Sequence, residues 1–85
     1  MSPKPHVIIY SRPGCHLCDE AKAVIETVQR QLEFTLDEVN IEGDVELLAR
    51  YQYDIPVISI NGVDTFMHRV EPEELRRSLV AVHED

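Results

Sequence analysis

The 85-residue sequence lacks the long apolar run of a membrane helix, and it has few basic residues. No segment reaches the about 18 consecutive apolar residues of a transmembrane span. The apolar segment near the N-terminus is too short for the core of a signal peptide. Eight Lys and Arg residues stand against 16 Asp and Glu residues, for a net charge of −8. This charge disfavours nucleic acids and anionic membranes as partners, and together these absences predict a cytoplasmic protein.

The sequence also contains no internal repeat, no low-complexity tract and no interdomain linker. Residues 1–85 are therefore predicted to form a single domain. Only two cysteines are present, which is too few to supply the four ligands of a structural zinc site. In a reducing compartment, such a pair is more often redox-active or metal-binding than a structural disulfide.

Hydrophobic patterning predicts an α/β chain with the element order β-α-β-α-β-β-α. The first helix follows the Pro13-Gly14 turn, the second begins after an Asp44 N-cap, and the third begins at Pro72. The first two strands, joined through a helix, should be parallel, and a later hairpin adds an antiparallel pair. The result is a four-stranded mixed sheet with helices on both faces. The strands are expected at residues 7–10, 34–41, 57–60 and 63–70.

Apolar spacing predicts which side of each helix faces the core, and charge predicts which strand lies at an edge. Asp37 and Glu38 interrupt the second strand, and this favours an edge position. The inward residues are expected to be Cys18, Ala21, Ile25, Val28 and Leu32 in the first helix, Val45, Leu48 and Tyr51 in the second, and Leu75, Leu79 and Val82 in the third.

The two cysteines lie three residues apart at the predicted strand-to-helix junction, a spacing that allows a disulfide with little backbone movement. Cys15 at the helix start should face solvent. Free N–H groups and the helix dipole there can lower a thiol pKa from about 8.5 to roughly 3.5–7.5. Arg12 would add to this effect, while Asp19 and Glu20 oppose it. Cys18 lies on the apolar face, so we predict that Cys15 is the nucleophile of thiol–disulfide exchange and Cys18 the resolving thiol.

Four alternatives to this chemistry remain open. They are an inert buried cysteine pair, a zinc site, an iron–sulfur cluster held by Cys15 of two chains and by outside thiols, and a non-catalytic interaction domain with slow thiols. The zinc site would need His16 and one more histidine, although no recognisable ligand spacing is present. His16 could instead tune the Cys15 thiolate when protonated. His68 is expected to be a surface strand residue. The other histidines are His6 and His83.

Residues 7–18 (VIIYSRPGCHLC), 54–57 (DIPV) and 61–62 (NG) carry a family resemblance. Together they resemble the thioredoxin superfamily, and most closely the glutaredoxin-like proteins. The resemblance implies a thioredoxin fold and a disulfide oxidoreductase. It also implies a cis Pro56 facing the cysteines, an Ile55 backbone that pairs with the substrate, and an Arg12 that meets the glycyl carboxylate of glutathione.

The sequence departs from the glutaredoxin pattern at three places. His16-Leu17 replaces Pro-Tyr between the cysteines, and Asp54-Ile55 replaces Thr-Val. Residues 69–72 (RVEP) stand where that family carries a Gly-Gly-x-Asp stretch for the γ-glutamyl end of glutathione. Arg12 could still bind the glycyl carboxylate of glutathione, although the γ-glutamyl part of the site is replaced. The electron donor is therefore left open between a thiol and a reductase. We expect a monomer that acts on protein or small-molecule disulfides and needs no metal or cofactor beyond its own disulfide.

Overall fold

The computed structural model describes residues 4–84, with side chains as far as Val82. The elements follow the predicted order. A single 3₁₀ turn, Ile41–Gly43, precedes the second helix. The elements are β1 (His6–Ser11), α1 (His16–Gln29), β2 (Thr35–Asn40), α2 (Val45–Tyr51), β3 (Val57–Ile60), β4 (Val63–Met67) and α3 (Pro72–Glu84). No helix within residues 4–84 is long and apolar enough to cross a membrane.

The four strands form one mixed sheet in the order β2-β1-β3-β4. β1 pairs in parallel with β2 and antiparallel with β3, and β3 pairs antiparallel with β4. The prediction that the acidic second strand lies at an edge is thus confirmed. All four residues of β3 are buried, as expected of a central strand covered on both faces.

The larger core lies on the face of the sheet that α1 and α3 cover. The predicted inward faces of these two helices are confirmed, with Ile25, Val28 and Leu75 fully buried. Leu32 lies beyond the last residue of α1 but still packs against this cluster. The buried members are Val7, Ile9, Ala21, Ile25, Val28, Phe34, Ile58, Ile60, Val70, Leu75 and Leu79.

A smaller core lies on the opposite face of the sheet, where α2 packs. Ile41, Tyr51 and Val57 form it, and the Tyr51 ring stacks on Tyr10 with 4.5 Å between ring centroids. The expectation that Val45 faces inward is wrong, because its side chain is 84% exposed. The seven-residue helix packs through its later part, with Leu47, Leu48 and Tyr51 against the sheet.

The predicted element boundaries also need correction. β4 ends at Met67 rather than at residue 70, because His68 adopts a positive φ of 66°, which takes the backbone out of the extended conformation. β2 is one residue shorter at each end than predicted. Phe34 lies before it in the core, and Ile41 begins the 3₁₀ turn. The single-domain prediction for residues 1–85 stays a prediction.

Tyr51 provides a pH-dependent contribution to stability. Its hydroxyl donates a hydrogen bond to Asp64 Oδ2 at 2.9 Å, and burial together with this carboxylate raises the pKa of Tyr51 to about 12. The phenol of the unfolded chain ionises near its usual pKa of about 10. The folded state therefore holds its proton to higher pH, and the free energy of unfolding should fall as pH rises from about 10 towards about 12. The slope from this group is at most about 1.4 kcal/mol per pH unit.

Denaturant unfolding across this alkaline range tests the contribution by comparing the wild type with Tyr51→Phe. The stability difference between the two should be constant below a pH of about 10 and should shrink above it. Tyr53→Phe is the matched control, since that ring is 84% exposed. Parallel pH profiles for wild type and Tyr51→Phe would contradict the assignment.

Candidate active site

A glycine turn sets the position of Cys15 at the start of α1. Gly14 has a φ of 79°, a left-handed conformation that glycine adopts without steric cost. The turn is closed by a hydrogen bond of 3.3 Å from the Cys15 N–H to the Arg12 carbonyl. Cys15 itself is extended, with φ −86° and ψ 106°, and occupies the N-cap of α1. Its side chain therefore lies where the first helical N–H groups point.

The Cys15 and Cys18 sulfurs are joined in a disulfide across the first turn of α1, with 5.2 Å between the two Cα atoms. The Cys18 N–H donates a hydrogen bond of 3.2 Å to Cys15 Sγ. Cys15 is partly exposed, whereas Cys18 is only 4% exposed. The predicted asymmetry between the two cysteines is therefore present. The same N–H is placed to stabilise a negative charge on Cys15 Sγ when the bond is reduced.

Pro56 lies at the same end of the sheet as the disulfide. The β1–β3 register pairs Tyr10 with Val57, so the next step of this antiparallel ladder sets Pro56 beside Ser11. The Ile55–Pro56 peptide bond is cis, as the family resemblance implies. Pro56 is buried and Ile55 is partly buried. Among the described residues, no backbone group hydrogen-bonds to the Ile55 N–H or C=O.

Arg12 lies beside the disulfide in an ion pair with Glu42. Its Nη2 donates to Glu42 Oε2 at 2.8 Å, and both side chains are about 40% exposed. Sequence reasoning placed Arg12 near the site but missed Glu42. The parallel pairing of β1 with β2 is the signal that could have found it, because the carboxyl ends of neighbouring parallel strands meet at one edge.

A family model places this chain among known proteins. The model described as "Glutaredoxin-like domain (DUF836)" matches residues 6–80. The chain belongs to the glutaredoxin-like domain family. The match spans every strand and most of α3, so it includes the cysteine pair, Ile55 and Pro56.

One relative and two solved structures show what this glutaredoxin-like domain is similar to. It is 29% identical over 83 residues to "Glutaredoxin-like protein YDR286C homolog" of Dictyostelium discoideum, covering 91% of this chain and 77% of that protein. The solution structure of protein Ne2328 from Nitrosomonas europaea matches with a TM-score of 0.78 and 26% identity, covering 93% of this chain and 95% of the other. A mutant thioredoxin from Halobacterium salinarum NRC-1 matches with a TM-score of 0.73 and 14% identity, covering 96% of this chain and 77% of the other. This last likeness shows the fold alone, and it confirms the predicted thioredoxin fold.

The glutaredoxin-like domain thus combines a thioredoxin fold with a Cys-x-x-Cys disulfide at a helix N-terminus. A dithiol that can close into a disulfide across one helical turn can exchange two electrons with another disulfide or thiol. This combination supports a redox function in general terms. Within residues 4–84, no group of three or more His, Cys, Asp or Glu side chains is placed to hold a metal ion, and the His83 side chain lies outside the description.

His16 of this glutaredoxin-like domain contacts Glu20 and is open to solvent. Its side chain is 88% exposed, and Nε2 lies 3.3 Å from Glu20 Oε2, one turn along α1. The role of His16 in tuning Cys15 stays a prediction. His68 is not the strand residue that the sequence predicts. It follows β4 in a left-handed conformation and shares a shallow groove with Leu17, Val24, Arg69 and Glu71.

A second groove on the other side of the α1 N-terminus contains Arg12. Asp19 and Glu38 contribute carboxylates to it, and Ser11 lies at its base with only 4% exposure. Ser11 Oγ donates to Glu38 Oε2 at 3.2 Å, and Lys22 Nζ donates to Glu38 Oε1 at 3.0 Å. This hydrogen bond to Glu38 raises the pKa of Lys22. We call this the Arg12 groove, and its lining residues are Ser11, Arg12, Pro13, Gly14, Asp19, Glu38 and Asn40.

Proposed function

We propose that this domain is a thiol–disulfide oxidoreductase that reduces or exchanges disulfides through Cys15 and Cys18. The observation that carries the proposal is the contrast between the two sulfurs. Cys15 lies partly exposed at the N-cap, where its Sγ accepts the Cys18 N–H, and Cys18 is buried one turn later. An accessible thiolate beside a protected partner is the arrangement that sequential attack and resolution require.

The reaction proceeds in two exchange steps. The Cys15 thiolate attacks one sulfur of the substrate disulfide, forms a mixed disulfide and releases the first substrate thiol. Cys18 then gives up its proton and attacks Cys15 Sγ, which closes the internal disulfide and releases the second thiol. Two electrons pass from the dithiol to the substrate. A thiol or a reductase returns the domain to its reduced state.

The Ile55–Pro56 segment is proposed to hold the substrate chain beside Cys15. The Ile55 N–H and C=O have no backbone partner among the described residues, so an extended substrate segment could pair with them by strand addition. Under this proposal, protein disulfides and small disulfides are both substrates. The domain acts as a monomer in a reducing compartment such as the cytoplasm.

A redox titration of the Cys15–Cys18 pair tests the proposed function. The protein is equilibrated against graded ratios of reduced and oxidised glutathione, quenched by alkylation and analysed by mass spectrometry. This readout suits a chain that contains no tryptophan. We expect one two-electron transition at roughly −180 to −270 mV, the range of known disulfide oxidoreductases. Failure to form the internal disulfide would contradict the proposal, and a mass that retains metal would favour the cluster-carrier alternative.

A further inference from the structure

Two cations around the Arg12 groove are paired with carboxylates. Arg12 pairs with Glu42 at 2.8 Å, and Lys22 pairs with Glu38 at 3.0 Å. Arg12 is tied most closely to the nucleophile, because its own carbonyl accepts the Cys15 N–H. A thiol or disulfide with a carboxylate near its sulfur would bind best where a cation beside Cys15 could pair with that carboxylate. Arg12 is such a cation, but Glu42 already neutralises its charge.

We propose that Glu42 determines which disulfides and thiols this site accepts. By occupying Arg12, it discriminates against partners that carry carboxylates close to the reacting sulfur, glutathione among them, and favours disulfides without such negative charge. The inference rests on the proposed function and assigns a substrate class to the same site. Glu42 acts on specificity through Arg12, so it is a positioning residue rather than a catalytic one.

The local backbone fixes Glu42 in front of Arg12. Asn40 ends β2 and caps the 3₁₀ turn, since its Oδ1 accepts the Glu42 N–H at 2.9 Å. Ile41, the preceding residue, is fully buried and anchors the turn in the smaller core. The Glu42 backbone is therefore held between a cap and a buried anchor. Because this backbone is already ordered, the Glu42 carboxylate can pair with Arg12 without first fixing a flexible loop.

Apart from Arg12, the charged side chains that line the Arg12 groove are acidic. Asp19 and Glu38 line it together with Arg12. An incoming carboxylate must either displace Glu42 or stand beside it, and in both cases it meets like charge. Exposed ion pairs of this kind contribute up to about 1 kcal/mol, which corresponds to about a fivefold change in rate or affinity. Salt weakens such an effect, since both side chains reach solvent.

Glu42→Gln tests the inference in a single-turnover assay with pre-reduced protein. The substrates are glutathione disulfide, which carries more carboxylates than ammonium groups, and the uncharged hydroxyethyl disulfide. In each reaction the substrate S–S bond breaks, the Cys15–Cys18 bond forms, and two thiols leave with the two protons of the dithiol. We expect the rate ratio of the anionic to the neutral substrate to rise about fivefold at low ionic strength. The gain should diminish at high salt.

The ratio is the readout because a change of charge beside Arg12 could also change the stability of the Cys15 thiolate. A more stable thiolate would change both rates together and cancel from the ratio. Glu46→Gln is the matched control, with the same change of charge on α2 and no ion pair among the described residues. That variant should keep the wild-type ratio.

Arg12→Gln completes a double-mutant cycle. In the wild-type background it should lower the ratio, because the Glu42 carboxylate then faces the anionic substrate without its cation. In the Glu42→Gln background it should remove the gain. An unchanged ratio in Glu42→Gln, or a gain that survives loss of Arg12, would overturn the inference even though both disulfides react. If neither disulfide reacts with the wild-type protein, the proposed function fails and the inference fails with it.

Discussion

Replacing Cys15 by Ser is expected to reduce disulfide exchange to the rate of buffer alone. A serine hydroxyl is not deprotonated near neutral pH, and neither the helix N-terminus nor the Cys18 N–H can make it a comparable nucleophile. Cys18 cannot substitute, because it is 4% exposed and lies on the inward face of α1. Reduction of hydroxyethyl disulfide by the pre-reduced protein provides the measurement.

Cys18→Ser is the matched variant, and it is expected to behave differently. The first attack by Cys15 remains, but nothing resolves the mixed disulfide from within the chain. The protein should therefore accumulate one adduct per chain, which intact-mass spectrometry detects. Circular dichroism controls for folding of both variants. Turnover by Cys15→Ser, or an absence of adduct on Cys18→Ser, would contradict the roles proposed for the two sulfurs.

Ile25→Ala is expected to lower the free energy of unfolding by about 2–5 kcal/mol. Ile25 is fully buried where α1 meets the sheet, in the cluster shared with α3. Truncation removes apolar contacts and leaves a cavity that the packed helices cannot fill completely. Stabilities of small domains are only about 5–15 kcal/mol, so this one change removes a large fraction. Denaturant unfolding of the oxidised protein, followed by circular dichroism, gives the value.

Two variants of the same helix control this prediction. Ile25→Val keeps most of the side chain and should cost about 0.5–1.5 kcal/mol, so it stays measurable even if Ile25→Ala does not fold. Glu26→Ala removes an exposed neighbour and should stay within about 0.5 kcal/mol of the wild type. Equal losses in Ile25→Ala and Glu26→Ala would contradict the burial assigned to Ile25.

The elements that the sequence predicted well are those in which local chemistry and burial agree. Asp44 was expected to cap the second helix, and its carboxylate accepts the N–H groups of Glu46 and Leu47. Pro72 begins α3 as expected. The prediction for Val45 failed, because periodicity indicates which residues share a face of a helix but not how much of that face the sheet covers. β4 proved shorter than predicted, since no pattern indicates that His68 leaves the extended conformation.

The candidate site likewise contains features that the local sequence predicted and features that it did not. The positions of Cys15 and Cys18 at a strand-to-helix junction follow from their spacing and from the Pro-Gly turn, which are properties of neighbouring residues. The cis bond at Pro56 was available only through family resemblance. The Arg12–Glu42 ion pair was not predicted, because it joins residues that are 30 positions apart. His16 lies between the cysteines in sequence, yet the helical turn directs it towards Glu20 and solvent.

The sequence alone determined the order of elements, the inward faces of α1 and α3, and the unequal surroundings of the two cysteines. These features depend on periodicity, capping and turn chemistry within a few residues of each other. Tertiary structure decided which side chains from separate elements meet at the disulfide. β1 pairs in parallel with β2, and this pairing brings Glu42 to Arg12 and Glu38 to Ser11. Strand pairing fixes these contacts because register acts across the sheet, between residues whose local sequences carry no information about one another.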